Sequence, residues 1–171
     1  MSNNYFFYRF EGHVSSKKNN ELGEILEGYH IDVFHPTLFN LSAHSSRLFI
    51  YLFWFIITKG QYKIFYVKKN DVIVHYTHVL PKFFKFPFMC SKDLEVGPAW
   101  TAESYRGKKI FPSMIIYLLK YFKEKNRNFY ILIHVDNIPS QKAVMKTGFK
   151  KWGKGIKTNK LGIYKVDKYF E

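Results

Sequence analysis

The chain has 171 residues, of which 47% are apolar, 20% aromatic and 23% charged, and its 27 Lys and Arg against 13 Asp and Glu give a net charge of +14. This length and apolar content predict a single domain over residues 1–171 and exclude intrinsic disorder as the main state. The only cysteine, Cys90, cannot form a disulfide within the chain, and the first residues lack the pattern of a secretory signal, so we expect a cytoplasmic protein.

The positive charge is concentrated in the second part of the chain. Residues 1–100 hold 11 Lys and Arg against eight Asp and Glu, whereas residues 101–171 hold 16 against five. A partner with phosphate groups is therefore expected on the second part. The longest apolar run, Leu48–Ile57, is shorter than the ~20 residues of a membrane-spanning helix and predicts a buried core helix. Attachment to the surface of an anionic membrane is an alternative that rests on charge alone.

The first sixty residues combine one predicted strand with two predicted helices. An aromatic run over residues 4–10 predicts the first strand. Apolar residues recur at three-and-four spacing over residues 21–29, which indicates an amphipathic helix. A second helix is expected to begin at a capping residue, Ser42 or Ser45, and to end at Gly60.

The remaining elements predict a sheet with strands in both directions. Six strands are expected at residues 61–68, 72–80, 93–101, 129–135, 149–152 and 161–166, and two helices at residues 110–126 and 141–147. Pro98 favours an edge position, a bulge or a splayed end in its strand. The sequence Lys69-Asn70-Asp71 predicts a hairpin between the strands at residues 61–68 and 72–80. Residues 82–89 predict a loop whose four phenylalanines fold back on the core or line a ligand pocket. The fold class is therefore expected to be α/β, with a mixed sheet of about seven strands and flanking helices.

A basic loop that contains a glycine lies between a predicted strand and a predicted helix. It reads Tyr105-Arg106-Gly107-Lys108-Lys109, and the helix follows at Ile110. The first amides of a helix are unpaired and its dipole favours negative charge, so this arrangement predicts an anion site. Gly107 would allow the backbone to approach a phosphate closely. The side chains of Arg106, Lys108 and Lys109 would add charge-assisted contacts.

Three segments together resemble the GNAT superfamily of acetyl-CoA-dependent N-acetyltransferases. They are Gly97-Pro98-Ala99-Trp100-Thr101, then Tyr105 to Phe111, and Val135 to Ser140 followed by Gly148-Phe149. The acyl-CoA loop of the family reads Arg/Gln-x-x-Gly-x-Gly/Ala, and a later segment reads Asn-x-x-Ser/Ala before Gly-Phe. The resemblance covers residues 60–166 and implies a mostly antiparallel sheet with splayed fourth and fifth strands. The Trp-Thr, Tyr-Arg-Gly and Ile-Phe-Pro details are similar to members that acylate amino sugars for surface polysaccharides.

The resemblance implies acetyl-CoA, or another acyl-CoA, as co-substrate and no metal. It places at the cofactor Trp100, Thr101, Arg106, Gly107, Lys108, Lys109, Ile110, Phe111, Asn137, Ser140 and Lys142. A backbone N–H between Val96 and Trp100 would stabilise the thioester oxyanion.

The chain departs from the family at three of these positions or near them. Lys109 stands at the middle glycine of the loop and Phe111 at the Gly/Ala position, where each side chain would either add a contact or crowd the cofactor. Many relatives protonate the departing thiolate with a tyrosine, but this chain has Val144 at that position. Tyr105 and Tyr117 are the alternative acids.

The proposed chemistry also needs a base that takes a proton from the amine. Glu95 is a candidate because family members commonly use a glutamate on the fourth strand, and His78 on the third strand is the other candidate. His75 and His78 are expected to point to opposite faces of a regular strand, so at most one lines the cleft. His134 is expected to be a hydrogen-bonded core histidine. The histidines show no zinc-ligand spacing with Cys90.

These features favour an N-acyltransferase that moves an acetyl or other short acyl group directly to a primary amine of a small molecule. The resemblance points to an amino sugar or a nucleotide-linked amino sugar as acceptor, and to a monomer or a homodimer. A basic nucleic-acid-binding module is one alternative, because aromatic residues are interleaved with lysines, although no nucleic-acid-binding motif is visible. A catalytically inactive subunit that binds CoA is the other, and the departures at Lys109 and Val144 favour it.

Overall fold

The computed structural model describes residues 3–10, 26, 28–36, 48–122 and 127–170. These residues form eight strands: β1 (Asn4–Phe10), β2 (His30–Phe34), β3 (Lys63–Lys69), β4 (Val72–Pro81), β5 (Leu94–Thr101), β6 (Phe129–His134), β7 (Lys150–Lys157) and β8 (Tyr164–Tyr169). They also form three α-helices: α1 (Leu48–Ile57), α2 (Ile110–Tyr121) and α3 (Ile138–Met145). The mixed class that the sequence predicts is confirmed, with eight strands in place of about seven.

All eight strands belong to one sheet, in the order β2-β3-β4-β5-β6-β1-β7-β8. Each neighbouring pair is antiparallel except β5 and β6, which are parallel. The turn between β3 and β4 consists of Asn70 and Asp71, both with positive φ. Asn and Asp tolerate this conformation, which matches the twist of a tight hairpin.

The parallel strands β5 and β6 separate soon after they begin. They pair only at Leu94 with Phe129 and at Glu95 with Tyr130. On its other side β5 contains a bulge, because the register with β4 shifts between the pairs Val79–Val96 and Thr77–Ala99. A bulge bends the strand that carries it. The splayed end that Pro98 predicts is therefore present, and it opens a slot between the two middle strands.

The two faces of the sheet carry separate apolar clusters. On the first face, which we call the α2 face, Leu94 and Val96 lie in one cluster with Met114 of α2 and Val144 of α3. The second face, which we call the α1 face, is covered by α1 and the loop over residues 82–90. Phe83 and Phe86 of that loop are buried there, while Phe84 is 46% exposed. The loop phenylalanines thus fold back on the core for the most part.

Several element boundaries differ from the sequence-based expectation. β2 was not expected at all, although His30 to Phe34 alternates polar and apolar residues. α3 begins at Ile138 and not at residue 141, because the Asn137 side chain caps the helix. β7 continues through Gly153 and Gly155 to Lys157. A Cβ on Gly155 would lie 1.9 Å from the Lys165 carbonyl oxygen, so these glycines let β8 approach closely.

Other expectations fall partly outside the described residues. Most of the helix expected at residues 21–29 lies there, as do the caps Ser42 and Ser45 and residues 123–126 at the end of α2. The expected end of α1 is confirmed. Gly60 has a φ of 72° and its N–H donates to the Phe55 carbonyl.

Candidate active site

Glu95 lies on β5 at the point where β5 and β6 separate. Its neighbours Leu94 and Val96 point into the α2 face, so the Glu95 carboxyl points to the α1 face, beside Tyr130. The residue is only 5% exposed. Its Oε2 atom is buried and has no hydrogen-bond partner among the described residues. Burial raises the pKa of this carboxyl well above its usual range.

Gly97 makes room for this carboxyl. A Cβ on Gly97 would lie 2.7 Å from Oε1 of Glu95, which is closer than van der Waals contact permits. The residue also has a φ of 154°, a conformation that favours glycine. The Glu-x-Gly sequence in the bulge therefore fixes where the acid sits.

His78 shares the α1 face with Glu95. It lies opposite the bulge, two residues before Leu80, which pairs with Glu95 across the β4–β5 ladder. The Nδ1 atom of His78 is 2.5 Å from the Tyr62 hydroxyl, and the two rings stack. Burial lowers the pKa of His78 to about 4, so the imidazole is neutral at pH 7. The fold thus brings the two predicted catalytic side chains to one face.

His75 faces away from this group. Its two ring nitrogens lie 2.8 and 2.7 Å from the hydroxyls of Thr101 and Thr77, and its ring lies beside Phe111 on the α2 face. The expectation that His75 and His78 point to opposite faces is confirmed. Burial lowers the pKa of His75 to about 4 as well.

His134 differs from the buried core histidine that the sequence suggested. Its side chain is 30% exposed and lies 3.5 Å from the Asp136 carboxylate, at the end of β6. It also packs edge-on against Tyr5. β6 ends at this residue, so the side chain is only half covered.

The basic loop joins β5 to α2 through a short 3-10 turn, Glu103–Tyr105. Gly107 has a φ of 77°, and a Cβ there would meet nothing within 4 Å. Arg106 donates to the Thr101 carbonyl and to Glu103, so part of its donor capacity is used to hold the loop. The ammonium of Lys108 lies 4.6 Å from the centre of the Tyr105 ring.

The two departures from the family's loop both fit its backbone. Lys109 has a φ of 58° and precedes α2, so it adopts the left-handed conformation for which glycine is usually required. It makes no side-chain capping hydrogen bond, and the first turn of α2 is left uncapped. Phe111 packs inward against the α2-face cluster and not into the loop.

The remaining cofactor candidates lie at or beyond the carboxyl ends of β5 and β6. Trp100 is 41% exposed and stacks on Tyr76, and Ile110 is buried under the first turn of α2. Asn137 caps α3 by accepting a hydrogen bond from the Ser140 N–H at 3.2 Å. Lys142 is exposed on the same helix.

The alternative acids lie apart from Glu95. Val144 is fully buried in the α2-face cluster and carries no proton to give. Tyr117 packs on Phe65 on the α2 face, and Tyr105 lies in the basic loop. None of these three side chains is on the α1 face with the acid.

Tyr164 is a neighbour of the acid that the sequence did not indicate. Its ring stacks on Phe86 and packs edge-on against Tyr5 on the α1 face. Burial raises the pKa of its phenol, and the charge of Glu95 raises it further. Tyr164 is 69 residues from Glu95 in the chain, so only the β1–β7–β8 arrangement places it here.

No group of three or more His, Cys, Asp or Glu side chains among the described residues is arranged to hold a metal ion. Within the same residues, the helices are too short or too polar to cross a membrane.

Comparison with known proteins gives no match by sequence and many by structure. No family model matches the chain, and no curated protein matches it. A GNAT-family acetyltransferase from Colwellia psychrerythraea superposes with a TM-score of 0.55 at 14% identity, over 86% of this chain and 52% of that one. The chain has the GNAT fold.

Two further solved structures share this fold. The aminoglycoside N-acetyltransferase AAC(6')-Iy, solved with the bisubstrate analogue CoA-S-monomethyl-acetylneamine, gives a TM-score of 0.51 at 14% identity over 71% of this chain and 91% of that one. The glucosamine N-acetyltransferase region of a fungal multi-domain β-N-acetylglucosaminidase gives a TM-score of 0.56 at 11% identity, over 89% of this chain and 20% of that one. The chain spans between about half and three fifths of the length of several other matched structures.

Proposed function

We propose that the protein transfers an acyl group from acyl-CoA to the primary amine of a small molecule, in a ternary complex and without a covalent enzyme intermediate. One observation carries this proposal: a buried carboxyl, whose Oε2 atom has no hydrogen-bond partner among the described residues, lies where β5 and β6 separate. An unpaired buried polar group costs stability, so its presence favours a functional role.

The loop residues fit the phosphates of CoA. A Cβ on Gly107 would meet nothing within 4 Å, and no side-chain hydrogen bond from Lys109 caps the first turn of α2. Lys108 and Lys109 are exposed beside this turn. In this proposal these lysines and the amides of the turn hold the phosphates, while β5 from Val96 to Trp100 offers its backbone to the rest of the cofactor. Bound acyl-CoA supplies an activated thioester.

Glu95 is assigned the role of general base. An amine substrate arrives as an ammonium ion and must lose a proton before its nitrogen can attack a carbonyl carbon. The carboxylate form of Glu95 takes this proton, because burial disfavours a carboxylate–ammonium pair relative to a neutral carboxylic acid and a neutral amine. The raised pKa thus favours the nucleophilic form of the substrate. His78 is neutral and lies beside Tyr62, where it would orient the acceptor by hydrogen bonding.

An amino sugar is the acceptor class that we propose. The sequence details around Trp100 and Arg106 resemble GNAT members that act on amino sugars, and two matched structures are described as acting on glucosamine or an aminoglycoside. Aromatic rings such as Tyr62, Tyr76 and Tyr164 also line the α1 face, and sugars stack on such rings.

The test is release of free CoA from acetyl-CoA in the presence of a panel of amines. We expect turnover that depends on the amine and falls by about a hundredfold or more in Glu95→Gln, in line with the loss of a general base. Asp167→Asn, which makes the same carboxyl-to-amide change at an exposed position of β8, is the control for Glu95. Binding of acetyl-CoA without turnover on any amine would instead identify a CoA-binding subunit that has lost catalysis.

A further inference from the structure

The α1 face carries two lysines that the proposed reaction does not use. Lys85 belongs to the loop over residues 82–90, and Lys157 ends β7. Both are half-buried, whereas most of the described lysines are exposed. Lys68, which is also half-buried, pairs with Asp32, but neither Lys85 nor Lys157 forms a salt bridge with a carboxylate among the described residues.

The two side chains converge from different elements onto one point. A Cβ on Gly162 would lie 3.3 Å from Cε of Lys157 and 3.9 Å from Cε of Lys85. Gly162 leaves this space open and has a φ of 62°. Positive charges carried on two neighbouring half-buried side chains repel, so an anion within reach of both would stabilise the arrangement.

Aromatic rings connect this point to Glu95. The ammonium of Lys157 lies 5.6 Å from the centre of the Tyr164 ring, and that of Lys85 lies 6.0 Å from the centre of the Trp54 ring. Tyr164 is close enough to Glu95 for the carboxylate charge to raise the pKa of its phenol. The acid and Lys157 are thus both near Tyr164, and both lysines contact rings of the α1-face cluster.

We propose that the acceptor carries an anionic group, a carboxylate or a phosphate, that Lys85 and Lys157 bind while its amine lies at Glu95. This inference rests on the proposed function and narrows its acceptor to amines that also carry a negative charge. The ammonium of such a substrate matches the acid, and its anion matches the two lysines.

The experiment compares matched pairs of amines in the acetyl-transfer assay. Benzylamine is paired with 4-(aminomethyl)benzoate to test a carboxylate, and glucosamine with glucosamine 6-phosphate to test a phosphate. We expect kcat/KM for at least one amine with an anionic group to exceed that of the paired amine without this group by about tenfold or more, because charge-assisted hydrogen bonds are among the stronger polar contacts. The pair that shows the difference identifies the anion as a carboxylate or a phosphate.

Substitutions then assign the effect to the two lysines. Lys85→Gln and Lys157→Gln are expected to raise KM for the amine with the anionic group about tenfold and to leave KM for the paired amine unchanged. Lys157→Arg is expected to keep the preference for the amine with the anionic group. Lys151→Gln is the matched control, because its ammonium also lies over a ring, 4.0 Å from the centre of Phe6, on the α2 face. Equal kcat/KM within both pairs, or an equal effect of Lys151→Gln, would overturn the inference while leaving the acyltransferase function intact.

A binding measurement distinguishes a failure of the proposed function from a failure of the role of the two lysines. Calorimetric titration of acetyl-CoA, and separately of each anionic amine, is carried out on the wild type and on Lys157→Gln. We expect the variant to bind acetyl-CoA normally and the anionic amine about tenfold more weakly. Absence of acetyl-CoA binding and of any turnover would refute the proposed function. Binding of an anionic amine that is insensitive to Lys157→Gln would refute the role of the lysines.

Discussion

At the scale of single residues, Glu95 combines a stability cost with a chemical use. Its neighbours on β5 face the opposite cluster, and Gly97 leaves the space that the carboxyl occupies. A buried acid with an unpartnered oxygen weakens the fold whenever the unfolded chain can ionise it. Proteins retain such groups where function requires them.

Glu95→Gln is expected to stabilise the protein at neutral pH. In the unfolded chain a glutamate ionises above a pKa of about 4.3, whereas the folded state keeps Glu95 protonated to a higher pH. The stability of the wild type therefore falls as pH rises between these two pKa values, by about 1.4 kcal/mol for each unit that separates them. Urea unfolding at pH 5 and pH 8 measures this. The advantage of the variant should grow with pH, and a constant difference, or the same trend in Glu103→Gln, would contradict the assignment.

Glu95 and His78 could be predicted as catalytic residues only from the resemblance to a family. Their residue types on predicted strands are ordinary, and nothing local in the sequence shows that they are buried on one face. Lys109 and Phe111 were ambiguous for a related reason: only the left-handed backbone at Lys109 and the inward packing of Phe111 show that the loop tolerates them.

At the scale of elements, Asn137 at the start of α3 is a helix cap and is also a candidate contact of the cofactor. Its side-chain oxygen caps α3, and its amide group remains free to donate. Asn137→Ala is expected to lower the free energy of unfolding by about 1 kcal/mol, and Asn137→Ser to recover most of this loss.

Acetyl-CoA affinity distinguishes the two roles of Asn137. If its amide contacts the cofactor, Asn137→Ser should bind acetyl-CoA several-fold more weakly although its stability is restored. Normal affinity in Asn137→Ser would show that the residue only caps the helix. Calorimetry and chemical unfolding of the three proteins supply both quantities.

Local signals predicted some elements well and others poorly. Pro98 correctly indicated the bulge in β5, and the Asn70–Asp71 turn correctly indicated the β3–β4 hairpin, because both depend on backbone preferences of a few residues. β2 and the full length of β7 were missed. β7 contains two glycines that are tolerated only because β8 packs closely against them, which is a tertiary effect.

At the scale of the whole molecule, buried histidines set the response to acid. His75 and His78 lie on opposite faces, and burial lowers the pKa of each to about 4. In the unfolded chain they would titrate near 6.5. Between about pH 6.5 and 4 unfolding therefore takes up as many as two protons at these sites, whereas Glu95, whose pKa is raised in the folded state, releases at most one, so acid destabilises the fold.

Thermal unfolding between pH 7 and 5 tests this balance. The melting temperature is expected to fall with pH, and more steeply in Glu95→Gln, because the opposing proton release is removed. His78→Gln should flatten the dependence. A melting temperature that rises or stays constant between pH 7 and 5 would show that these histidines are accessible to protons in the folded state.

The strand order also explains why the site could not be assembled from the sequence. β5 and β6 are neighbours with a helix between them in the chain, whereas Tyr164 and Lys157 reach the same face from the far end of the sheet. The uneven charge was informative at this scale. It favours residues 101–171, which include both the loop before α2 and Lys157 on the other face, and it leaves Lys85 out.

Calorimetric titration with acetyl-CoA at two salt concentrations tests directly whether the loop before α2 binds acyl-CoA. The wild type is compared with a Lys108→Ala, Lys109→Asn variant, in which asparagine tolerates the left-handed backbone at position 109, and with a Lys151→Ala, Lys154→Ala control of equal charge. We predict one-to-one binding that weakens with salt, falls about tenfold or more in the loop variant and persists in the control. No binding by the folded wild type, or an equal loss in the control, would contradict an acyl-CoA site at this loop.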